Sequence, residues 1–217
     1  MLKIENFEVL GWEHAIRGMR NPMNSWEKSD SNFFDDSEGH VCNICQGHGP
    51  MSLIEIGPND YALMKNLRNA GTDHRKFMRM ITVYLDITAP LYWWKEFDTY
   101  KVGTVANSCS TMHKIAAKEF TVDDFSTEHL ISDSNAMMKT TCDLLNQYRE
   151  KYLKTKDKKY WWQMIQLLPS SYNQTRNVML NYEVLANIYK SRKDHKLDEW
   201  REFCKWIETI PYFELII

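Results

Sequence analysis

Nowhere in the 217 residues do eighteen apolar side chains run together, so no segment reads as a membrane span. The opening Met1-Leu2-Lys3-Ile4-Glu5-Asn6-Phe7-Glu8 lacks the basic stretch and apolar run of a secretory leader. Positive charge is not in excess either: 27 Lys and Arg stand against 29 Asp and Glu, a formal net charge of −2. That balance argues against a dedicated duplex-DNA binder and against a polybasic membrane surface. Cysteine is sparse and odd in number, five in all, with Cys109, Cys142 and Cys204 isolated. A disulfide framework is excluded, reduced thiols are expected, and the chain reads as cytoplasmic. Also missing are G-x-G-x-x-G, G-x-x-x-x-G-K-[ST] and G-x-S-x-G, which removes kinases, Rossmann oxidoreductases and α/β-hydrolases. Neither an internal repeat nor a low-complexity tract is present.

What the chain does have is rings: eight Trp, 11 Tyr and nine Phe, more than a minimal core needs and suited to an interface or a stacking surface. A fold of this length buries roughly 70% of the surface its unfolded chain exposes, so size alone requires no disulfide or metal. The hydrophobic pattern predicts a strand over Lys3 to Val9, then a helix carrying Trp12, Ala15, Ile16 and Met19 that stops at Asn21-Pro22. A helix capped by Asn59 or Asp60 and ended by Gly71 follows. Alternation of Ile81, Val83, Leu85 and Ile87 predicts a half-buried strand. Thr88 and Pro90 then open a helix with Leu91, Trp94 and Phe97 on one stripe. Asn107 to Thr111 reads as a polar loop, and 135–167 as a helical hairpin whose lysine-rich turn is solvated. A long helix bearing Val178, Tyr182, Leu185 and Tyr189 opposes a polar face of Asn177, Asn181, Glu183 and Asn187, and a last helix carries Leu197, Trp200, Cys204 and Ile207. The expected fold class is α+β, helix-dominated, with a small antiparallel sheet. It forms one domain over 1–217, with an inserted excursion at about 27–58.

Within that excursion His40, Cys42, Cys45 and His48 form H-x-C-x-x-C-x-x-H, a donor set suited to zinc. A zinc there would pin the segment rather than catalyse.

A second constellation carries more. Arg17-x-x-Arg20 lies on the first helix, and Gly71-Thr72-Asp73-His74 precedes the predicted strand. Ala89-Pro90 leads to Glu96 and Thr99-Tyr100-Lys101, then Asn107, Ser108, Ser110, Thr111, Met112 and His113. Downstream come Leu168-Pro169, Asn181-Tyr182-Glu183, Asn187 and Ser191-Arg192. In these motifs and their spacing the sequence resembles the flavin-dependent thymidylate synthases through most of its length. The resemblance implies that fold, a homotetramer with sites built from several subunits, FAD as a candidate cofactor, and a nucleotide ligand. It implies catalytic roles for Ser110 and Arg192. Ligand contacts are implied for Arg20, His74, Glu96, Tyr100, Lys101, Asn107, Ser108, His113, Asn181, Glu183, Asn187 and Arg192.

The departures bear on function. Thr99, Tyr100, Lys101 and Met112 stand where the family places phosphate-holding arginines and their neighbours, and Glu183 stands where it places another Arg. Each guanidinium fork lost is worth roughly 1.5–3 kcal/mol of charge-assisted hydrogen bonding to phosphate. The expected function is therefore a nucleotide-binding protein that senses or sequesters its ligand in an inter-subunit pocket without turnover. The alternatives are an active enzyme methylating dUMP with FAD, NADPH and methylenetetrahydrofolate, and a purely structural oligomer.

Overall fold

The computed structural model describes residues 1–34 and 53–217. Strand β1 (Lys3–Leu10) leads into helix α1 (Trp12–Arg20) through Gly11, whose φ of 90° lies in the left-handed region and where a Cβ would stand 2.2 Å from the Met80 carbonyl oxygen. A short ribbon follows, β2 (Asn32–Phe34) against β3 (Leu53–Glu55), antiparallel with Asn32 opposite Glu55 and Phe34 opposite Leu53. Then come α2 (Pro58–Asn69), a 3-10 turn over Arg75–Arg79, β4 (Thr82–Pro90), α3 (Leu91–Phe97), β5 (Val105–Ser108) and α4 (Thr111–Lys114). The chain continues as α5 (Ser132–Thr155), α6 (Lys158–Leu167), β6 (Asn173–Asn181), α7 (Tyr182–Arg192) and α8 (Asp198–Ile207). Among the described residues the strands form a four-stranded sheet in the order β1-β4-β6-β5 and the β2-β3 ribbon, and no helix is long and apolar enough to cross a membrane. Helices dominate, as the α+β class expected from the sequence requires.

Several local expectations change. Asn177 and Asn181 were expected on a helix, but their stretch is β6, in which Val178 and Leu180 are buried and Asn177 is exposed: a period of two prevails over the helical reading. Asn181 is then the N-cap of α7, its Oδ1 accepting the Val184 N–H at 3.0 Å. Thr88 is no cap. It lies in β4, bonded to the Thr175 hydroxyl at 2.7 Å, and the strand runs on to Pro90 before α3 opens. Asn107 and Ser108 belong to β5, and the loop shrinks to Cys109-Ser110, with Ser110 capping α4.

The chain divides into two compact units. One comprises 1–3, 87–99 and 107–176. Its α5–α6 hairpin packs Cys142, Leu145 and Met164 on Ile115, Phe120 and Phe125. Trp93, Trp94 and Phe97 are buried too, with Trp93 stacked on Phe97 at 5.0 Å. The Tyr92-Trp93-Trp94 run thus supplies core volume at its two tryptophans.

The other unit comprises 4–86, 100–106 and 177–217. Trp12, Tyr182, Trp200 and Phe203 are buried in it, and the Tyr182 hydroxyl donates to the Pro211 carbonyl at 2.5 Å. Next in the chain, the Tyr212 hydroxyl accepts the Ile56 N–H at 2.9 Å and lies 3.3 Å from the Ile54 carbonyl. At its centre is Asp60, fully buried. Its carboxylate accepts from Arg20 Nε at 2.6 Å, from the Ser29 and Ser31 hydroxyls at 2.7 and 2.6 Å, and from the Asp30 and Ser31 N–H groups at 3.1 and 3.2 Å. Asn59 or Asp60 was expected to cap α2, but Asp30 performs that work, accepting the N–H groups of both at 2.9 and 3.1 Å. Gly57, the N-cap residue, admits Asp30: a Cβ there would stand 2.2 Å from its carboxyl carbon.

Burial works against the Asp60 charge, but the donors from Ser31, Ser29, Arg20 and the Asp30 backbone outweigh it and hold the carboxyl below its ordinary value of 3.8. Stability from this group is thus complete above that value and lost as pH falls through the lower, folded-state value. Asp60→Ala should cost about 3–5 kcal/mol in urea unfolding, because it leaves Arg20 charged and buried without its partner. Asp60→Asn should flatten the acid limb of the stability profile. A loss under about 1 kcal/mol for the alanine variant would show that the cluster is dispensable.

Candidate functional site

Besides the Asp60 cluster, each unit holds a polar group that is a candidate site. In the first unit a cavity of about 300 Å³ is lined by Cys109, Ser110, Thr111, Lys114, Ile115, Ala117, Lys118, Glu119, Phe120, Asp124 and Tyr172 to Thr175. The local sequence builds its wall directly. Ser110 caps the short α4 by accepting the His113 N–H at 3.1 Å, and its own hydroxyl proton remains to be donated. Gln174 is buried and donates from Nε2 to the Cys109 carbonyl at 2.9 Å, while the Cys109 N–H donates to the Thr175 carbonyl at 2.9 Å, so both edges of the cysteine are pinned to β6.

Asn173 accepts from the Ser126 hydroxyl at 2.9 Å through Oδ1. Its Nδ2 is buried and has no hydrogen-bond partner among the described residues. A buried donor left unpaired costs about 1–3 kcal/mol, and this one has less than 1 Å² of accessible surface, so it lies behind the cavity wall rather than on it.

Two groups in the cavity hold fixed protonation states. The hydrogen bond from Lys118 to Asp124 pushes the ammonium above its usual range despite some desolvation. Burial, followed by the Asp124 carboxylate, pushes the Tyr172 phenol up. Near neutral pH the lysine stays charged and the phenol keeps its proton. The cavity offers cations and neutral donors together with two acids, Asp124, which is engaged by Lys118, and Glu119.

The second unit's centre is at the start of α7. Arg75 Nε donates to Glu183 Oε1 at 3.0 Å, Arg75 also reaches Asn187 Oδ1 at 3.4 Å, and Arg79 pairs with both Glu183 oxygens. Burial works against the Glu183 charge, yet the Arg79 and Arg75 guanidiniums hold its carboxyl below the ordinary 4.5. Glu183 is thus no bare anion. It is the shared acceptor of two forks supplied by the 3-10 turn, and the three side chains together retain one positive charge. Along the same helix, Arg192 donates from Nε to the Tyr100 hydroxyl at 3.0 Å and lies over the Trp200 ring at 4.9 Å.

Of the residues expected to bind ligand, the structure brings Glu183 and Asn187 together through Arg75, and Tyr100 together with Arg192. Arg20 is buried on Asp60 and Asn181 is spent on the helix cap. His74, Lys101, Asn107, Ser108 and His113 are exposed. Glu96 is half-buried, and its carbonyl accepts from the Thr99 hydroxyl and N–H. Ser110 lies in the first unit and Arg192 in the second. The zinc ligands expected at His40, Cys42, Cys45 and His48 lie outside the described residues. Among the described residues no group of three or more His, Cys, Asp or Glu could hold a metal ion.

Arg75, Arg79, Lys114, Lys118, Asp124 and Asn173 are the functional residues that sequence reasoning passed over. The four-residue spacing of Arg75 and Arg79 was a usable signal, because an acid at a buried helix start needs a cationic partner.

No family model matches the chain, and no curated protein matches it. Among solved structures it resembles two of thymidylate synthase X from Helicobacter pylori with FAD and dUMP, each 14% identical in sequence. The TM-scores are 0.68 and 0.65, over 99% of this chain and 96% and 97% of those chains. It also resembles the UMP/dUMP methylase PolB from Streptomyces cacaoi bound with 5-bromo-dUMP, at 10% identity and TM-score 0.58 over 99% of this chain and 94% of that one. The likeness extends over essentially the whole chain and shows a shared fold.

A double-mutant cycle tests the Glu183 centre. Arg75→Met combined with Glu183→Gln should reveal a coupling of about 1–2 kcal/mol at neutral pH. Because the folded-state carboxyl value is lowered, that coupling should fade as pH drops below 4.5. A coupling independent of pH would mean that charge is not what joins the pair.

Proposed function

We propose, from a fold shared with the flavin-dependent thymidylate synthases, that this protein binds a pyrimidine mononucleotide or a ligand of that size in the cavity lined by Ser110. It holds that ligand without turnover, as a sensing or sequestering protein acting as a cytoplasmic homo-oligomer. The observation that carries the reading is a cavity of about 300 Å³ whose lining combines the hydroxyl residues Ser110 and Thr111 with Lys114. Small-molecule sites span roughly 300–1,000 Å³, so this one stands at the small end. A carbonyl or phosphate oxygen would be met by Ser110 and Thr111 as donors. Lys114 supplies a charge for phosphate, and Phe120 and Ile115 supply apolar wall. With Lys118 held charged and Tyr172 held neutral, these groups recognise a ligand rather than shuttle protons.

FAD, present in two of the similar structures, would need a site other than this cavity. A dinucleotide exceeds a cavity of this size, and the stretch where the family grips phosphate has other commitments. Thr99 is bonded to Glu96, Tyr100 is bonded to Arg192, and Lys101 contributes one flexible ammonium. Arg75 and Arg79 are occupied by Glu183. No chemical step through flavin is derived.

The competing reading is active dUMP methylation. It is favoured by the placement of the Ser110 hydroxyl on the cavity wall in a chain whose structural neighbours are bound to dUMP or its 5-bromo analogue.

Calorimetry of the intact protein against uridine, dUMP, UMP, FAD and inorganic phosphate separates the two. The expected result is binding of a pyrimidine nucleotide, weakened about tenfold by Thr111→Val, which removes a hydroxyl donor from the lining at nearly constant shape. Lys114→Ala should weaken nucleotides more than the nucleoside. A stoichiometric yellow complex that consumes dUMP would establish the enzyme instead, and a silent panel would end the nucleotide reading.

A further inference from the structure

The α5–α6 turn gathers a charge that the rest of the chain lacks. Between Tyr148 and Trp162 stand Arg149, Lys151, Lys154, Lys156, Lys158 and Lys159 against Glu150 and Asp157, in a protein whose overall charge is −2. The backbone fixes this display. Helix α5 ends at Thr155, Lys156 takes a left-handed conformation with φ of 57°, and Asp157 caps α6 by accepting the Lys159 N–H at 3.0 Å.

The rings sit among these cations. Tyr148 and Tyr160 stack at 6.4 Å with 25° between their planes, and Trp161 meets Trp162 edge-on at 4.8 Å. Lys151 lies over both tyrosines at 5.8 Å, Lys156 over Tyr152 at 5.8 Å, Lys158 over Trp161 and Trp162 at 5.9 and 5.7 Å, and Lys159 over Tyr160 at 4.8 Å. Asp157 engages Lys159 at 3.0 Å, while Trp162 is 43% exposed.

Of the five rings in this stretch, Tyr148, Tyr152 and Trp161 pack on the core of the unit, while Trp162 stands exposed among the cations. Ring faces for bases and ammonium groups for phosphates are the two components of a single-strand platform. We propose that the Tyr148–Trp162 turn is a docking surface for single-stranded nucleic acid, with lysines on the backbone and Trp162 stacking a base. The commitment to nucleic acid over an anionic membrane rests on the arrangement of the rings. Tyr148, Tyr160 and Trp161 are half-buried with lysines across their faces, rather than projecting as an apolar ridge that could enter a bilayer. This surface is separate from the cavity, so neither proposal depends on the other.

The test is fluorescence anisotropy of the full chain with a labelled oligouridylate of about 15 nucleotides. Affinity should fall with salt at a log–log slope of about −2 to −3, the value for three or four neutralised phosphates on a single strand. Lys154→Glu with Lys158→Glu should weaken binding more than about tenfold and lower the slope. Trp162→Ala should weaken it about fivefold or more and leave the slope unchanged, which separates stacking from charge. Saturating dUMP should not displace the oligonucleotide. The proposal fails if there is no anisotropy change, if folded variants bind as the parent does, or if inorganic polyphosphate competes as well as the oligonucleotide. It fails equally if the surface binds phosphatidylserine vesicles in preference to the oligonucleotide.

Discussion

The Asp60 carboxylate is the constraint on which the second unit depends. It lies in the first turn of α2, takes a guanidinium from α1, and receives both hydroxyls and two backbone N–H groups from residues 29–31. A buried charge is tolerated when donors surround it, and removing one side of such a pair costs far more than the pair contributes. One acid therefore fixes two helices and the start of the excursion together. It also explains why Arg20, an obvious candidate for a ligand, is turned inward.

Paired charge recurs at the two polar centres with different results. Glu183 takes up two guanidinium forks, so a region that reads from sequence as hostile to phosphate becomes a neutralised surface with one cation to spare. In the cavity, Asp124 holds Lys118, while Lys114 also lines the wall. The first arrangement spends both of its cations on one acid, and the second engages one lysine of two. That contrast is why the proposed ligand is assigned to the cavity.

How much was legible in advance follows from the range of each interaction. Helix α1, strand β4, the α5–α6 hairpin and helix α8 were readable because their apolar residues repeat at a clean period and their ends carry Pro, Gly or polar stops. Strand β6 was not. Tyr182, Leu185 and Tyr189 really do belong to a helix, and Val178 falls in phase with them although the chain is extended there. Caps were misassigned where the capping side chain came from afar: no local pattern reveals that Asp30 serves α2. The site followed the same rule. Ser110, Tyr100, Glu183, Asn187 and Arg192 were expected as site residues from motif resemblance, and only Ser110 of them lines the cavity, whereas Arg75, Lys118 and Asn173 acquire meaning only from partners supplied by other segments. Arg75 meets Glu183, 108 positions away in the chain.

The ribbon of β2 and β3 bears on how the chain can change. Asn32 faces Glu55, and just beyond it Tyr212 clasps the backbone at Ile54 and Ile56. Exit and return points of the intervening stretch are therefore set by contacts that lie outside it. Loss of the Tyr212 hydroxyl would release the Ile56 N–H and loosen β3, so the ribbon's hold depends on a residue 156 positions away in the chain.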